Sequence, residues 1–234
     1  MSNLSLFDSS SLLPPKTLDA ALERFRRLAE NPDSAVRAIR YTPARGAQFE
    51  PVPETVRPAL QRGLAARGIG QLYSHQAAAV RAVEKGRNVA VVTPTASGKT
   101  LCYNLPVFNH LLADPQARAF YIFPTKALAE DQLAEFNAAV EAMGSDIRAF
   151  TYDGDTPQDA RRAIRERANV VLTNPDMLHA GILPHHTKWA KAFENLRYIV
   201  IDELHTYRGV YGSHFANRSE ERRVGRECRS RWSP

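Results

Sequence analysis

Apolar or β-rich runs alternate with amphipathic stretches through most of the sequence. Five runs favour strands, and apolar positions at helical spacing follow each of the first four. This alternation is typical of parallel strands joined by right-handed helical crossovers, with helices on both faces of the sheet. The pattern therefore predicts an α/β fold with a mostly parallel sheet. The predicted strands are 88–92, 119–123, 147–151, 169–172 and 197–201, and the predicted helices are 99–112, 126–143, 157–167 and 175–180.

The segment before these strands has a different pattern. Serine-rich residues 1–16 predict a loose leader, and apolar spacing predicts an amphipathic helix over 18–30, better explained by packing than by a partner site. Prolines and a glycine predict an extended linker over 40–54. Two more helices follow, one marked by Val56, Leu60 and Leu64 and ending near Gly68, the other covering about 75–85 with Ser74 as its cap.

Length and composition indicate one folded domain of ordinary size. The chain has 234 residues, 44% hydrophobic and 24% charged, and a core of about 150 residues buries roughly 70% of its unfolded surface. The start lacks the features of a signal peptide, and no stretch reaches the roughly 20 apolar residues of a membrane span. We therefore expect a soluble cytoplasmic protein. Two cysteines, Cys102 and Cys228, make no disulfide framework or metal cluster, and Cys102 is expected in the core.

The basic charge is unevenly distributed. The net charge is +6, but six arginines and three glutamates lie in residues 218–234, and the rest of the chain has 25 basic and 22 acidic residues. Overall charge is thus weak support for a polyanionic partner.

Residues 218–234 also lose the apolar periodicity of the preceding sequence. A basic tail that binds nucleic acid is one explanation. The other is that the opening Arg-Ser-Glu-Glu-Arg translates AGA-TCG-GAA-GAG-C, the start of a common sequencing adapter. We interpret 218–234 as translated adapter and expect it to have neither packed structure nor a role.

A candidate phosphate site lies where the first predicted strand meets the next helix. The sequence there is Thr93-Pro-Thr-Ala-Ser-Gly-Lys-Thr100. Free backbone N–H groups and the positive end of a helix dipole meet at such a turn. Gly98 allows the backbone to approach the phosphates, Lys99 reaches the β- and γ-phosphates, and the Thr100 hydroxyl suits Mg²⁺. The pattern departs from the usual phosphate loop because Thr93 stands in place of the first glycine.

Two carboxylates end the last predicted strand. Asp202 and Glu203 directly follow an apolar run, which places them at the carboxyl edge of the sheet beside the phosphate loop. Asp202 is suited to holding Mg²⁺ through water, and Glu203 to orienting or deprotonating an attacking water. For this segment alone, a strand-end turn with two solvated acids is the alternative.

With these residues identified, the sequence resembles the DExD/H-box helicases of superfamily 2. The segments LYSHQ, TPTASGKTLCYNLP and DELHTYRGVYGSHFAN are similar to a narrower group, the bacterial and fungal DNA-repair helicases whose C-terminal part carries a four-cysteine zinc-binding domain. Six segments match the family's motifs in order, namely the Q motif (73–76), motif I (95–100), motif Ia (123–128 with 131–132), the glycine motif (153–155), motif Ib (173–178) and motif II in its DExH form (202–205).

The resemblance implies a single RecA-like P-loop domain that binds ATP and Mg²⁺ and works on single-stranded or partly duplex DNA as part of a 3′→5′ motor. It implies catalytic roles for Lys99, Asp202 and Glu203 and Mg²⁺ contacts from Thr100 and Asp202. Gln76 is expected to meet the adenine edge. The other implied nucleotide contacts are Thr95, Ala96, Ser97, Gly98, Lys99 and Thr100.

The resemblance also predicts the division of the chain. We expect a leader and linker over 1–54, a RecA-like domain over 55–217 that is cut after motif II, and the tail 218–234. A second RecA-like domain, which supplies an arginine to the γ-phosphate in this family, is then missing in cis.

Motif Ia, the glycine motif and motif Ib each follow a predicted strand, where backbone N–H groups can hold phosphates without contacting bases. Thr125 and Asn174 also suit helix capping, and the two roles can coexist. Asp153 and Asp155 repel phosphate, which favours the Gly154 amide. The predicted nucleic-acid contacts are Pro124, Thr125, Lys126, Gly154, Thr173, Asn174 and Pro175.

Three functions compete at this point. The first is the motor domain of an ATP-dependent DNA helicase, with an RNA helicase as its variant. The second is a P-loop ATPase without a nucleic-acid partner, which accounts for Lys99 and Asp202 but not for Gln76 or the three nucleic-acid motifs. The third is an inactive nucleotide- or nucleic-acid-binding remnant. Dependence of ATP turnover on nucleic acid separates the first two, and any turnover at all separates both from the third.

Overall fold

A computed structural model of the protein describes residues 17–40, 46–94 and 97–207. The chain forms two compact units, Met1–Ala47 and Gln48–Pro234. In the first unit, helix α1 (Leu18–Glu30) has the predicted bounds, and the Thr17 hydroxyl caps it by accepting a hydrogen bond from the Ala20 N–H at 3.2 Å. No residue of α1 is buried.

The second unit is built on a parallel sheet, as the alternating pattern predicts. Its strands are β3 (Arg118–Ile122), β4 (Ala149–Thr151), β5 (Val170–Thr173) and β6 (Leu196–Ile201), in the order β4-β5-β3-β6. All three pairings are parallel. The α/β fold class is confirmed, and the carboxyl ends of the four strands lie along one edge of the sheet.

Helices cover both faces of this sheet because side chains alternate along each strand. On one face, Tyr121 and Leu172 pack with α2 (Pro58–Ala66), α3 (Ser74–Glu84), α4 (Lys99–Leu111) and α5 (Lys126–Met143). On the other face, Phe120 and Val171 pack with α6 (Gln158–Arg167) and with the segment after β5. Cys102 is buried in α4, as predicted, and burial raises the pKa of its thiol to about 11.

The segment after β5 is less regular than predicted. Instead of one helix over 175–180, it forms α7 (Pro175–Met177), a π-helical turn (Leu178–Ile182), a 3₁₀ segment (Leu183–Trp189) and α8 (Ala190–Glu194). His185 is a non-helical kink in this path, at φ −108° and ψ 28°. Trp189 is 1% exposed and anchors the segment to the sheet, with ring centroids 5.7 Å from Phe120 and 4.8 Å from Tyr152.

The strand predicted over 88–92 is absent, so that prediction is wrong. In the described part of the chain, β6 pairs only with β3, and no ladder joins 88–92 to either of them. The Val92 side chain is 93% exposed. An apolar run becomes a strand only when a neighbour accepts its backbone hydrogen bonds, and sequence periodicity does not reveal that neighbour.

A small antiparallel sheet replaces part of the predicted linker over 40–54. Strand β1 (Phe49–Pro51) pairs with β2 (Gln71–Tyr73), which makes residues from Gln48 onward part of the second unit. Ser74 is the first residue of α3 and not its cap, since the cap position belongs to Tyr73. Within the described residues, no helix combines the length and apolar character needed to cross a membrane.

Candidate nucleotide and nucleic-acid site

The phosphate loop turns into α4 at Gly98, which precedes the helix in a left-handed conformation with φ 72° and ψ 33°. A side chain is disfavoured there for two reasons. The conformation strains L-residues, and a Cβ on Gly98 would lie 2.6 Å from Nε2 of Gln76. The left-handed backbone conformation and the close approach of the Gln76 side chain therefore both favour glycine at this position.

Lys99 lies in the first turn of α4 and is directed back over its own loop. Its ammonium donates to the carbonyl oxygens of Thr93 at 3.1 Å and Pro94 at 3.2 Å. The hydroxyls of Thr93 and Ser97 are hydrogen-bonded to each other, so Thr93, at the position of the missing glycine, closes the loop through its side chain. Thr95 and Ala96, predicted nucleotide contacts, lie outside the described residues.

Asp202 is brought to α4 by Tyr103, one turn beyond Lys99. The Tyr103 hydroxyl is a hydrogen-bond donor to two acceptors. It lies 3.3 Å from Oδ2 of Asp202 and 3.1 Å from Oε1 of Gln132. Burial, reinforced by the negative charge of Asp202, raises the pKa of Tyr103, so the phenol remains a neutral donor. The structure thus places the predicted acidic strand end beside the predicted phosphate loop.

Glu203 follows with φ 48° and ψ 43°. Its N–H donates to Oδ1 of Asp202 at 2.8 Å, and its carboxylate lies 3.0 Å from Nδ1 of His205. The two carboxylates are therefore held in different directions. Asp202 is turned toward α4, whereas Glu203 is half-exposed beside His205.

The residues present suit a magnesium ion bound together with nucleotide. In the described ranges no group of three or more His, Cys, Asp or Glu side chains forms a protein-only metal cage. Mg²⁺ at nucleotide sites uses one or two carboxylates, with substrate phosphates and water completing its octahedron. Asp202 and the hydroxyl of Thr100, at the start of α4, meet that requirement.

Gln76 is integrated into the phosphate loop. The side chain is 2% exposed, its Oε1 accepts from the Tyr73 N–H at 2.9 Å, and its Nε2 donates to the Gly98 carbonyl at 2.9 Å. The neighbouring His75 ring contacts the Ser97 carbonyl at 3.0 Å. Contact of Gln76 with adenine stays a prediction, while its contact with the loop is a direct feature of this structure.

An aromatic stack beside the loop was missed by sequence reasoning. The rings of Phe49 and Tyr73 are stacked with centroids 5.0 Å apart, and Tyr73 stacks on His75 at 5.6 Å. Phe49 and Tyr73 are 53% and 37% exposed. The only sequence signal was the aromatic Tyr73 next to Gln76, because Phe49 joins it only through the β1–β2 pairing.

The predicted nucleic-acid residues of motif Ia lie at the start of α5. The Thr125 hydroxyl caps this helix by accepting from the Leu128 N–H at 3.3 Å. Lys126 is exposed and forms an ion pair with Asp155 of the glycine motif, which raises the pKa of Lys126. Gly154 lies beside the same ammonium. Motif Ia and the glycine motif therefore meet at one place, although Asp155 was not predicted to pair with Lys126.

Arg161 of α6 supports the glycine-motif loop by hydrogen bonds to its backbone. It donates to the carbonyls of Thr156 at 2.9 Å, Asp153 at 3.0 Å and Gly154 at 3.3 Å. The Asp153 carboxylate accepts the N–H groups of residues 155 and 156. This side-chain support was also missed, since an arginine on a polar helix face has no distinctive spacing.

The three predicted nucleic-acid residues of motif Ib differ in their exposure. Asn174 caps α7 by accepting from the Met177 N–H at 2.8 Å and is half-buried. Thr173 is 2% exposed and donates to the Tyr152 carbonyl, and Pro175 is buried. The side chains of Thr173 and Pro175 therefore have structural positions, and contact of these residues with nucleic acid stays a prediction. Pro124 is half-buried next to the exposed Thr125 and Lys126.

Comparison with known proteins identifies the family of this chain. Residues 73–227 match the DEAD/DEAH box helicase family, a range that extends into the segment 218–234. The uncharacterized ATP-dependent helicase YprA of Bacillus subtilis is 56% identical over 185 residues, covering 79% of this chain and 24% of YprA. The ATP-dependent helicase HRQ1 of Saccharomyces cerevisiae is 42% identical over 74% of this chain and 16% of its own length.

The structural comparison agrees. The crystal structure of the DUF1998 helicase MrfA bound to DNA matches with a TM-score of 0.83 and 49% identity, covering 94% of this chain and 30% of that protein. The MrfA structure with DNA and AMPPNP matches with a TM-score of 0.75 and 55% identity, over 81% of this chain and 26% of that protein. The chain thus spans less than a third of the length of these relatives.

Proposed function

Because the chain belongs to the DEAD/DEAH box helicase family, we propose that it is the ATP-binding portion of an ATP-dependent DNA helicase. The relatives include helicases named as acting on DNA or solved with DNA bound, which favours DNA over RNA as the substrate. In the complete protein, ATP hydrolysis is coupled to movement along the nucleic acid and to unwinding.

The observation that carries the proposal is the contact between Tyr103 and Asp202. It joins the helix that begins at the phosphate loop to the acidic end of β6, 3.3 Å from hydroxyl to carboxylate. A strand-end turn with two solvated acids requires no such contact. A nucleotide site requires the phosphate cradle and the acidic group to lie at the same edge of the sheet, and this contact supports that arrangement.

The proposed roles follow from these positions. Lys99, now bound to the carbonyls of Thr93 and Pro94, exchanges those contacts for the β- and γ-phosphates. Thr100 and Asp202 hold Mg²⁺, which neutralises charge on the phosphates when bound. Glu203, whose carboxylate lies beside His205, accepts the proton of the attacking water.

The exposed stack of Phe49 and Tyr73 is proposed to hold the base. A planar aromatic surface stacks on any base without hydrogen-bond selection, at roughly 1–3 kcal/mol per base. Gln76, fixed between Tyr73 and Gly98, links that surface to the phosphate loop. In this proposal, the residues that bind the base and those that bind the phosphates are joined by hydrogen bonds through Gln76.

Lys126, Gly154 and Asn174 are proposed to contact the phosphates of the DNA strand. They lie after β3, β4 and β5, three neighbouring strands of the sheet. Contacts of this kind position a strand without specifying its sequence. This part of the proposal separates a helicase from a P-loop ATPase without a nucleic-acid partner.

ATP turnover measured with and without single-stranded DNA tests the proposal. We expect turnover by the complete protein to rise on addition of DNA and to rise less with RNA of the same sequence. Turnover that is unaffected by either nucleic acid would support the ATPase without a partner. Absence of turnover, with nucleotide binding intact, would support a binding remnant.

A further inference from the structure

A basic cavity lies on the side of α6 that faces the irregular segment after β5. Its volume is about 350 Å³, and four basic side chains line it, those of Arg161, Arg165, His185 and Lys188. None of its lining residues is an aspartate or glutamate.

Nearby carboxylates are engaged elsewhere. Glu166 forms an ion pair with Arg162 at 2.9 Å, and neither residue lines the cavity. Asp153 uses its carboxylate to accept N–H groups of its own loop. The lining of the cavity itself therefore carries basic side chains and no carboxylate, and a concave site of one charge sign concentrates counter-ions.

The wall of the cavity is rigid. Trp189 and Tyr152 line it, are 1% and 2% exposed, and pack edge to face. The Arg161 guanidinium lies over the Tyr152 ring, 5.3 Å from its centroid, and is also bound to three backbone carbonyls. Arg161 is thus held in place before any ligand arrives, which reduces the entropy lost on binding.

The cavity adjoins two of the proposed DNA contacts through residues of its lining. Arg161 holds the loop that contains Gly154. Met177 lines the cavity, and its N–H is capped by Asn174. Gly154 and Asn174 are thus each hydrogen-bonded to a residue that lines the cavity, and a strand that contacts both would lie near it.

We propose that this cavity is an additional phosphate-binding site for the DNA strand, formed by Arg165 and Lys188 with Arg161 as its preformed wall. The inference rests on the proposed function, because it requires that a strand follows motifs Ia and Ib. It adds two side chains on elements outside the helicase motifs, one on α6 and one on the 3₁₀ segment.

Binding of a fluorescein-labelled oligothymidine of 20 nucleotides to the 234-residue chain, followed by anisotropy across a salt series, tests the site. We expect the double variant Arg165→Gln/Lys188→Gln to bind at least about tenfold more weakly, since hydrogen bonds to charged groups are lost. The slope of log affinity against log salt should fall in magnitude by about 1.4, because each phosphate contact to a single strand contributes about 0.7.

The double variant Arg167→Gln/Lys191→Gln is the matched control. It removes two positive charges from α6 and α8, both exposed and outside the cavity, and it should retain the wild-type slope. The charge-retaining variant Arg165→Lys/Lys188→Arg should also bind like wild type. Equal melting temperatures exclude a folding defect.

Three results would overturn the inference. If Arg165→Gln/Lys188→Gln and the control Arg167→Gln/Lys191→Gln lose the same amount of DNA affinity, only overall charge matters and the cavity is not a phosphate-binding site. If Arg165→Gln/Lys188→Gln keeps the wild-type slope while wild type binds DNA, the cavity proposal fails and the helicase proposal stands. If wild type itself does not bind the oligonucleotide, the cavity proposal fails, while the helicase proposal is decided separately by the DNA dependence of ATP turnover in the complete protein.

Discussion

Glu203 is the residue at which local geometry and proposed chemistry coincide most closely. Within residues 17–40, 46–94 and 97–207, it alone among non-glycine residues has a positive φ. The left-handed region costs an ordinary L-residue roughly 1–2 kcal/mol, so neighbouring contacts must stabilise it here. The N–H bond to Asp202 and the carboxylate contact with His205 do so. Backbone strain of this kind is concentrated at functional sites.

Replacing Glu203 by glutamine tests its role as the base. We expect Glu203→Gln to retain nucleotide binding and to reduce ATP hydrolysis by roughly 10²–10⁴, the usual contribution of a positioned general base. Lys99→Ala should instead weaken nucleotide binding, because a charged donor to phosphate is lost. Nucleotide affinity by fluorescence titration and hydrolysis under single-turnover conditions separate the two effects.

Glu141→Gln provides the control for that measurement. Glu141 is an exposed carboxylate near the end of α5. Its replacement by glutamine therefore removes the same charge from a position outside the candidate site. Equal hydrolysis by wild type and Glu203→Gln would show that Glu203 is not the base.

At the scale of elements, Trp189 determines whether the irregular segment after β5 stays attached to the sheet. Its side chain is almost fully buried against Phe120 and Tyr152. Removing a buried tryptophan typically costs about 3–5 kcal/mol. We therefore expect Trp189→Ala to lower the free energy of unfolding by an amount in that range, measured by urea denaturation followed by circular dichroism.

His186→Ala is the corresponding control in the same segment. His186 is exposed, and its Nδ1 lies 3.2 Å from the backbone carbonyl oxygen of Leu183. Its replacement should leave the unfolding midpoint nearly unchanged. A small effect of Trp189→Ala, similar to that of His186→Ala, would mean that the second core contributes little to stability.

Elements defined by local signals were predictable from the sequence. Helix α1 and helix α5 have the predicted bounds, because Thr17 and Thr125 cap their starts and Gly144 ends α5 in a left-handed turn. The candidate site was predicted from a local signal as well. Asp202 directly follows an apolar run, and this position predicted that it lies beside the phosphate loop. The contact with Tyr103 places Asp202 against α4, the helix that begins at that loop, and a shared nucleotide site stays a prediction.

Elements that depend on distant partners were not predictable. Residues 88–92 have a strand-like composition, but pairing, not composition, makes a strand. Phe49–Pro51 lies in a proline-rich stretch and becomes a strand only because residues 71–73 pair with it. Phe49 therefore joined the candidate site through a contact more than twenty positions away, for which the sequence has no local sign.

At the scale of the whole molecule, the chain contains one RecA-like unit and spans 24% of YprA and 30% of MrfA. We expect the 234-residue chain to bind ATP weakly and single-stranded DNA more weakly still, and not to unwind a duplex. Unwinding in this family depends on two domains that close on ATP. An arginine supplied to the γ-phosphate from outside such a domain is typically worth about 10³–10⁵ in rate.

A strand-displacement assay with a partly duplex DNA and the purified chain measures this directly. The complete protein is the positive control, and the chain with ATP omitted is the negative one. Rapid ATP-dependent displacement by the 234 residues alone would contradict the dependence on a second domain.

The ion pair between Lys126 and Asp155 bears on the proposed contact of Lys126 with DNA phosphates. The carboxylate belongs to the same molecule as the ammonium, so its effective concentration is fixed and does not fall with dilution. A phosphate that reaches Lys126 must displace this tethered competitor, and the competitor returns as soon as the phosphate leaves. This competition weakens the phosphate contact and favours its release, and a motor must release each phosphate before it can take the next.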